Sequence, residues 1–370
     1  MAEKGRAAIF SGAGRPIDIR EYEVPDPEPG AIVLKITMAG ICGSDLHMWR
    51  GDFGQGLLPA EMVLGHEMVG RVYKLGKDIK TDSLGRPLRE GDRLCFMQIF
   101  PCYRCYMCTR GEYNVCPNRV FGGPPAGQWP YFNGGFADYY YLPPRHWAFK
   151  VPDVLEDELL VPVNCAMGTV MQGLTTVGIN EGDYVVVQGA GGLGLSACAF
   201  ARDMGADRVI AIDRLDNRLQ LATEFGATHT INIAEFATPQ ARIDRVCELT
   251  DARGADRVLE LVGVPALLTE GVAMLNSLGT FIEIGNLVEG AIEFAPNSVT
   301  RGKSRRIVGS SMYKPHILPK VIDFLVRNKE RYPFHKMISH HFPLDKVNDA
   351  FQQAEWANRE TAVVRACLIP

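Results

Sequence analysis

At 370 residues, 46% hydrophobic and 22% charged, the chain is long enough for two cored domains and has the makeup of a folded protein, not a disordered or fibrous one. Its net charge of −4, with no long run of one sign, argues against nucleic acid as the main partner, because a phosphate-binding surface shows as a basic excess. No stretch approaches the roughly 20 apolar residues of a membrane span, and the opening MAEKGRAAIFSGAGRP lacks an apolar core of signal-peptide length; a cytoplasmic protein with small-molecule ligands and no membrane partner is expected.

In chain order, the first third carries short β-branched runs broken by Gly and Pro: AIVLKITMAGICGSD, EMVLGHEMVGRVYKLG, EGDRLCFMQI and GGFADYYYL. They predict the strands of a barrel-like β domain. Among them lies PCYRCYMCTRGEYNVCP, which holds Cys102, Cys105, Cys108 and Cys116 in the spacing C-x2-C-x2-C-x7-C. In a reducing compartment, clustered cysteines bind metal or do redox work more often than they form disulfides. This spacing lets a short loop wrap a tetrahedral ion at about 2.3 Å from each sulfur, and four thiolates leave no open position, so such an ion is structural. Iron-sulfur proteins use similar spacings. The polar, loop-like flanks favour zinc.

From about residue 155 the chain alternates apolar strands with helices: DYVVVQGA, a helix through LGLSACAFARDMGA, RVIAID, a helix through NRLQLATEFGA, THTINI, a helix around RIDRVCELTDARG, ADRVLELVG, PALLTEGVAMLNSLG, GTFIEIG and RRIVGSS. Strict alternation with strands bare of charge predicts a parallel sheet covered on both faces, a Rossmann-like domain. DYVVVQGAGGLG sets Gly189, Gly191 and Gly194 in a G-x-G-x-x-G after a strand and at the start of a helix. The tight turn, the approach of backbone to pyrophosphate and the helix–strand contact each exclude a side chain there. The next strand ends in Asp213, the place of an acid that bonds the ribose of NAD and repels the extra phosphate of NADP. Arg214 follows; it either softens that preference or is a solvated charge. The last piece, from about 312, has the amphipathic ILPKVIDFLVRN and a strand-like TAVVRACLIP, and fits either domain.

A third set is dispersed. GICGSDLH offers Cys42, Ser44, Asp45 and His47, and VLGHEMVG offers His66 and Glu67. Singly each has a bland explanation, a core thiol or a satisfied polar pair. Together they supply a thiolate, an imidazole, a carboxylate and a hydroxyl two residues past the thiolate, which fits a catalytic zinc site with a proton route beside it.

At this point GICGSDLH, LGHEMVG, the four-cysteine lobe and GAGGLG, in this order and separation, resemble the zinc-dependent medium-chain alcohol dehydrogenases over essentially the whole chain. The resemblance implies an α/β protein: a GroES-like β-barrel-type catalytic domain over 1–160, a doubly wound parallel-sheet Rossmann domain for NAD over 161–305, and a segment, 306–370, that returns to the catalytic domain. It implies two Zn2+ per chain. The cysteine lobe holds the structural ion; Cys42, His66 and Cys165 ligate the catalytic one; Glu67 is the carboxylate beside that metal, coordinating it transiently in some members. Asp45 matches an acid that orients His66. Ser44 is similar to the hydroxyl that takes the alcohol proton, and His47 to the end of a relay that passes it through the cofactor ribose to solvent. Gly189, Gly191, Gly192, Leu193 and Gly194 resemble the pyrophosphate loop, and Arg218 a basic residue near the adenosine ribose.

The implied reaction is hydride transfer between NAD and an alcohol, the metal acting as Lewis acid on the alcohol oxygen while Ser44 and His47 carry the proton away. Cysteine at 165, where the polyol branch often has glutamate, favours the alcohol-dehydrogenase type of coordination over a sorbitol-like one. Phe53 and Gln98 fall in the substrate pocket, with Trp49, Trp129 and Phe132 as aromatic walls. Gln98 points either to a substrate with a second polar group or to a glutamine facing water. A homodimer or homotetramer is expected. The rival readings are a polyol, threonine or sugar dehydrogenase of the same family, a metal-free reductase, and an inactive structural or regulatory homologue.

Overall fold

In a computed structural model the described residues are 3–54, 61–285, 289–355 and 364–370. They form two compact units: Met1–Gly168 with Lys314–Lys329 and Phe334–Pro370, and Thr169–Tyr313 with Glu330–Pro333. Among the described residues no helix is long and apolar enough to cross a membrane.

The first, the β unit, opens with β1 (Lys4–Phe10), β2 (Asp18–Glu23) and β3 (Ile32–Gly40), then α1 (Gly43–Arg50), β4 (Met62–Val63), β5 (Glu67–Leu75), β6 (Arg93–Phe96), β7 (Ile99–Phe100), α2 (Tyr106–Thr109), β8 (Val120–Phe121), β9 (Tyr139–Leu142), β10 (Ala148–Lys150) and α3 (Asp157–Leu160). The second, the α/β unit, holds α4 (Gly168–Val177), β11 (Tyr184–Gln188), α5 (Gly192–Asp203), β12 (Arg208–Asp213), α6 (Asp216–Glu224), β13 (His229–Asn232), α7 (Pro239–Leu249), β14 (Ala255–Glu260), α8 (Ala266–Met274), β15 (Leu275–Glu283), α9 (Asn297–Thr300) and β16 (Arg306–Gly309). The chain then returns to the β unit with α10 (Ile317–Asn328), β17 (His340–Pro343), α11 (Val347–Ala354) and β18 (Ala366–Ile369).

The main sheet of the β unit runs β10-β6-β5-β3-β18-β17, with β9 also on β3. Its centre is β3, whose IVLKITMAG is buried at seven of nine positions, as expected of a strand covered on both faces. The returning segment is part of this sheet: β18 pairs antiparallel with β3 and parallel with β17. Phe96, Phe136, Tyr140, Phe351 and Leu368 therefore share one core.

The α/β unit has six parallel strands ordered β13-β12-β11-β14-β15-β16. That order reverses at β11, which places the β11–α5 turn at the switch point where such sheets bind ligands.

The units divide at 168/169 and 313/314, not at 160/161 and 305/306 as the sequence expects. The π-helical turn Val163–Met167 is fastened to the β unit: Asn164 accepts from Phe96 N at 3.0 Å and donates to Met68 O at 2.8 Å. At the other end, RRIV pairs into the six-stranded sheet as β16. Residues 330–333 also stay with the α/β unit, where Tyr332 stacks on Phe225.

Candidate active site

The cysteine lobe is built of short turns. Sulfur–sulfur distances are 3.5 Å for Cys105–Cys108, 3.7 Å for Cys105–Cys116, 3.6 Å for Cys102–Cys116 and 4.0 Å for Cys102–Cys108. Four sulfurs at about 2.3 Å from a tetrahedral zinc lie about 3.8 Å apart, so the lobe has the dimensions of a closed zinc site. The thiol of Cys102 is held down at about 6, chiefly by the backbone N–H of Arg104.

A second cluster joins Cys42, His66 and Cys165, whose ligand atoms lie within 4.8 Å of one another. Three local structures deliver them. Cys42 is the N-cap of α1; its N–H donates to Asp45 Oδ2 at 2.9 Å, the backbone half of a capping box. His66 follows Gly65, whose φ of +87° makes the turn into β5 and whose N–H also reaches Asp45, at 3.3 Å. Cys165 sits in the π-helical turn.

Asp45, fully buried, lies 3.4 Å from His66 Nδ1 and so leaves Nε2 to face the sulfurs. Burial pushes the His66 imidazole down, but the Asp45 carboxylate and the Cys42 thiolate outweigh it and hold its pKa up at about 10. The Cys42 thiol is held well below its usual value, chiefly by a hydrogen bond from Cys165 and against the effect of burial; Cys165, the donor, is pushed well up. Two sulfurs and one nitrogen suit zinc, and three protein ligands leave a coordination position for substrate. Ser44 Oγ lies 3.3 Å from His66 Nε2, at the same point as the three ligand atoms.

Glu67 stands apart from this cluster. Its carboxylate does not join the three ligand atoms: Oε2 is ion-paired with Arg365 Nη1 and Oε1 accepts from Ala166 N at 3.3 Å. Arg365 is a site residue that the sequence reading missed. Its only signal is a lone charge in the apolar run VVRACLIP of the last strand.

The pocket residues divide. Gln98 is 3% exposed and does not face water; its side chain bonds the Cys165 sulfur, and its Oε1 is buried with no partner among the described residues. It lines a small cavity with His66, Met48, Met68, Phe121 and Tyr140. Phe53 packs at the edge of the β-unit core, edge-on to His47 at 6.1 Å. Of the other aromatics, Phe132 does not wall a pocket. Phe132 is fully buried in a separate core cluster with Tyr139, because β1, β3 and β9 close over it, and half-exposed Trp129 packs on Tyr141. Trp49 packs on Phe351.

His47 is one turn further along α1 and belongs to an ionic network. Its Nδ1 lies 2.7 Å from Asp52 Oδ2 and 2.9 Å from Arg50 Nη2, and Arg50 Nη1 donates to Glu355 at 2.9 and 3.1 Å.

In the α/β unit, Gly189 and Gly194 are required by the fold itself. Gly189 has φ +97° and a Cβ there would lie 2.7 Å from Val262 Cγ2; one at Gly194 would lie 1.9 Å from Gly189 O. Gly191 differs: a Cβ there meets nothing within 4 Å. The fold does not need that glycine. Gly191 is the N-cap of the 12-residue α5, which begins with Gly192, Leu193 and Gly194, so the space over it is a cradle for a phosphate at a helix N-terminus. Asp213 accepts from Ala190 N at 2.8 Å, Arg214 N at 2.8 Å and Leu215 N at 3.1 Å, and so also braces the loop. Arg218 is half-buried and its pKa is lowered by desolvation, partly offset by Asp213; its Nε has no partner among the described residues.

A family profile described as alcohol dehydrogenase GroES-like domain matches residues 28–153, and one described as zinc-binding dehydrogenase matches 192–327. The chain belongs to the zinc-dependent medium-chain alcohol dehydrogenases. It is 34% identical to 5-exo-hydroxycamphor dehydrogenase of Pseudomonas putida over 94% of both chains, and 34% identical to D-xylulose reductase A of Aspergillus niger over 78% of both. Among solved structures it is similar to an alcohol dehydrogenase from Thermotoga maritima, with a TM-score of 0.92, 30% identity and full coverage of both chains. Membership of this family explains why the cysteine lobe and the Cys42–His66–Cys165 cluster occur in one β unit.

Proposed function

We propose that the protein is an NAD-dependent zinc alcohol dehydrogenase that interconverts a primary or secondary alcohol and its aldehyde or ketone. The observation that carries this reading is the convergence of Cys42, His66 and Cys165 with the Ser44 hydroxyl at one point of the β unit. Cys42, His66 and Cys165 would hold a zinc that supplies Lewis-acid polarisation of the substrate oxygen, and the Gly189–Gly194 loop would hold NAD as the hydride acceptor. Asp45 fixes the tautomer of His66. Ser44 takes the hydroxyl proton, and His47 passes it outward. Asp213 bonds the adenosine ribose, beside Arg218, and disfavours a phosphate there. Arg365 keeps the Glu67 carboxylate occupied, so that the cluster has three protein ligands. A second zinc in the cysteine lobe stiffens that loop.

The unpartnered Gln98 Oε1 supports a substrate with a second hydroxyl near the reacting carbon, because a buried acceptor without a partner costs about 1–3 kcal/mol that such a donor would recover. D-xylulose, the compound for which one relative is named, has hydroxyls beside its carbonyl. Edge strand β16, exposed at three of its four residues, supports a homodimer or homotetramer. The ligands are small molecules, with no nucleic-acid or membrane partner, and the location is cytoplasmic.

The test is zinc content per chain together with NADH formation from paired alcohols with and without a neighbouring hydroxyl. Two zinc ions and turnover of the diols support the reading. A metal-free protein, or a zinc-loaded one inert to every alcohol, overturns it in favour of a metal-free reductase or an inactive homologue.

A further inference from the structure

His47 Nδ1 faces two groups with opposite demands. Asp52 Oδ2, at 2.7 Å, can only accept a proton; Arg50 Nη2, at 2.9 Å, can only donate one. The first contact needs a proton on Nδ1 and the second needs a lone pair there, so the pair of neighbours decides the tautomer. Arg50 has other acceptors: Nε donates to Asp52 Oδ2 at 2.9 Å, Nη2 lies 2.8 Å from the same oxygen, and Nη1 bonds both oxygens of Glu355. Its donors are thus satisfied without the imidazole. A bond from Nδ1–H to the carboxylate is charge-assisted and completes the network, whereas the other tautomer sets the Nδ1 lone pair against a carboxylate lone pair.

The backbone also brings Asp52 to this place. Gly51, with φ +85°, ends α1, and Asp52 N then donates back to His47 O at 3.0 Å. The turn folds residue 52 under the side chain of residue 47. Arg50, clamped to Glu355 at the C-terminal end of α11, holds the carboxylate from the other side.

We propose that Asp52 is a positioning residue that holds His47 in the tautomer protonated on Nδ1, which leaves Nε2 as the nitrogen that receives the proton from the substrate side. The inference rests on the reading of His47 as a relay residue. When Nε2 takes up a proton, the Asp52 carboxylate on Nδ1 faces the imidazolium's positive charge. Asp52 stays ionised; burial raises its pKa, but Arg50 and His47 bring it below the usual carboxylate value. Its side chain is 32% exposed, so the proton can pass from the network to water. The division of labour is that of a His–Asp pair in which the acid orients and does not itself titrate.

Long-range 15N–1H NMR of the zinc-loaded protein with 15N-labelled histidines reads the tautomer directly; His47→Gln assigns the resonance among eight histidines. The expected result is a protonated Nδ1 and an unprotonated Nε2, inverted in Asp52→Ala, where Arg50 becomes the nearest partner of Nδ1. Asp52→Asn, which keeps an acceptor of the same shape, serves if the alanine variant does not fold; it should retain the tautomer and lose the charge effect. In the same variants hydride transfer at pH 7 should fall on the order of 10-fold in Asp52→Ala, with no further fall when His47→Gln is already present. A proton on Nε2 in the wild type, or an unchanged tautomer in Asp52→Ala, overturns the proposal, and so do additive losses in the double variant. If the tautomer is as stated but His47→Gln leaves hydride transfer intact, Asp52 still positions His47 and the relay itself is wrong.

Discussion

Replacing Arg365 by Met should unsettle the β unit more than any other single change at the site that spares the metal ligands. The side chains of Arg365 and Glu67 are 5% and 0% exposed. With the guanidinium gone, the Glu67 carboxylate keeps one neutral donor, Ala166 N at 3.3 Å, and no ion-pair partner among the described residues. Removing one partner of a buried ion pair costs about 3–5 kcal/mol, because the other charge is left desolvated. Protonation limits that cost: an uncompensated buried carboxyl has its pKa raised above its unfolded value. Such a group is at its most stable below the unfolded pKa and loses stability as pH rises through the folded one. The deficit of Arg365→Met relative to wild type should therefore be larger at pH 8 than at pH 5. Urea unfolding of the metal-free protein, in which no zinc beside Glu67 supplies positive charge, measures it, followed by tryptophan fluorescence, since all four tryptophans fall within the residue ranges of the β unit. Adding Glu67→Gln removes the stranded charge, so the double variant should be more stable than Arg365→Met alone. A loss under about 1 kcal/mol at pH 8 would refute the reasoning, as would a double variant whose losses simply add.

Gly191→Ala should leave the melting temperature within about a degree, since its Cβ enters open space, and should weaken NAD binding in calorimetry by on the order of 10-fold or more; Gly194→Ala, with Cβ 1.9 Å from a backbone oxygen, should fail to fold the α/β unit. Zinc uptake by stripped protein should release protons, because metal must displace one from an imidazole whose pKa is held up at about 10; apparent affinity from competition with a chelator should then fall about 100-fold or more from pH 8 to pH 6. Mild chelation should remove the Cys42–His66–Cys165 ion before the four-thiolate ion, with loss of turnover at one equivalent removed per chain. Ser44→Ala should cut hydride transfer by a large factor with zinc and NAD binding intact, while His47→Gln costs about 10-fold and is worst at low pH, in stopped-flow traces from pH 6 to 9.

Much of the site was legible because its grammar is local. Four cysteines within one loop, a cysteine, serine, acid and histidine within GICGSDLH, and a glycine motif between strand and helix each declare themselves within about fifteen residues; that Cys42 caps a helix, where the sequence reads a strand, is shown only by the structure. Gln98 could be found by place but not interpreted, since the sequence does not say whether an amide points inward or to water; burial decides it. Arg365 was invisible for a different reason. Nothing near it names Glu67, and only the pairing of β18 with β3 brings them together. Asp52 gave no signal at all, because the turn at Gly51, not residue spacing, folds it back on His47. Phe132 was misjudged since an aromatic residue in a Gly/Pro-rich loop looks the same whether it walls a pocket or closes a core. The unit boundaries moved by eight residues at each junction, where a π-helical turn and an edge strand continue the unit that precedes them.

The insertion of β18 between β3 and β17 also orders events in time. During synthesis, at roughly 5–20 residues per second, the α/β unit can close once residue 313 has emerged, apart from the short 330–333 patch. The β unit has to wait. The end of its central strand β3, at Ala39 and Gly40, lacks its second neighbour, and Glu67 lacks Arg365, until residues 364–370 arrive. The nucleotide fold is therefore ready first, and a nascent chain carries an open sheet edge beside its metal ligands for the whole time the ribosome spends on the α/β unit. That unpaired edge, covered in the finished sheet, is the part of the nascent chain open to pairing with the wrong strand.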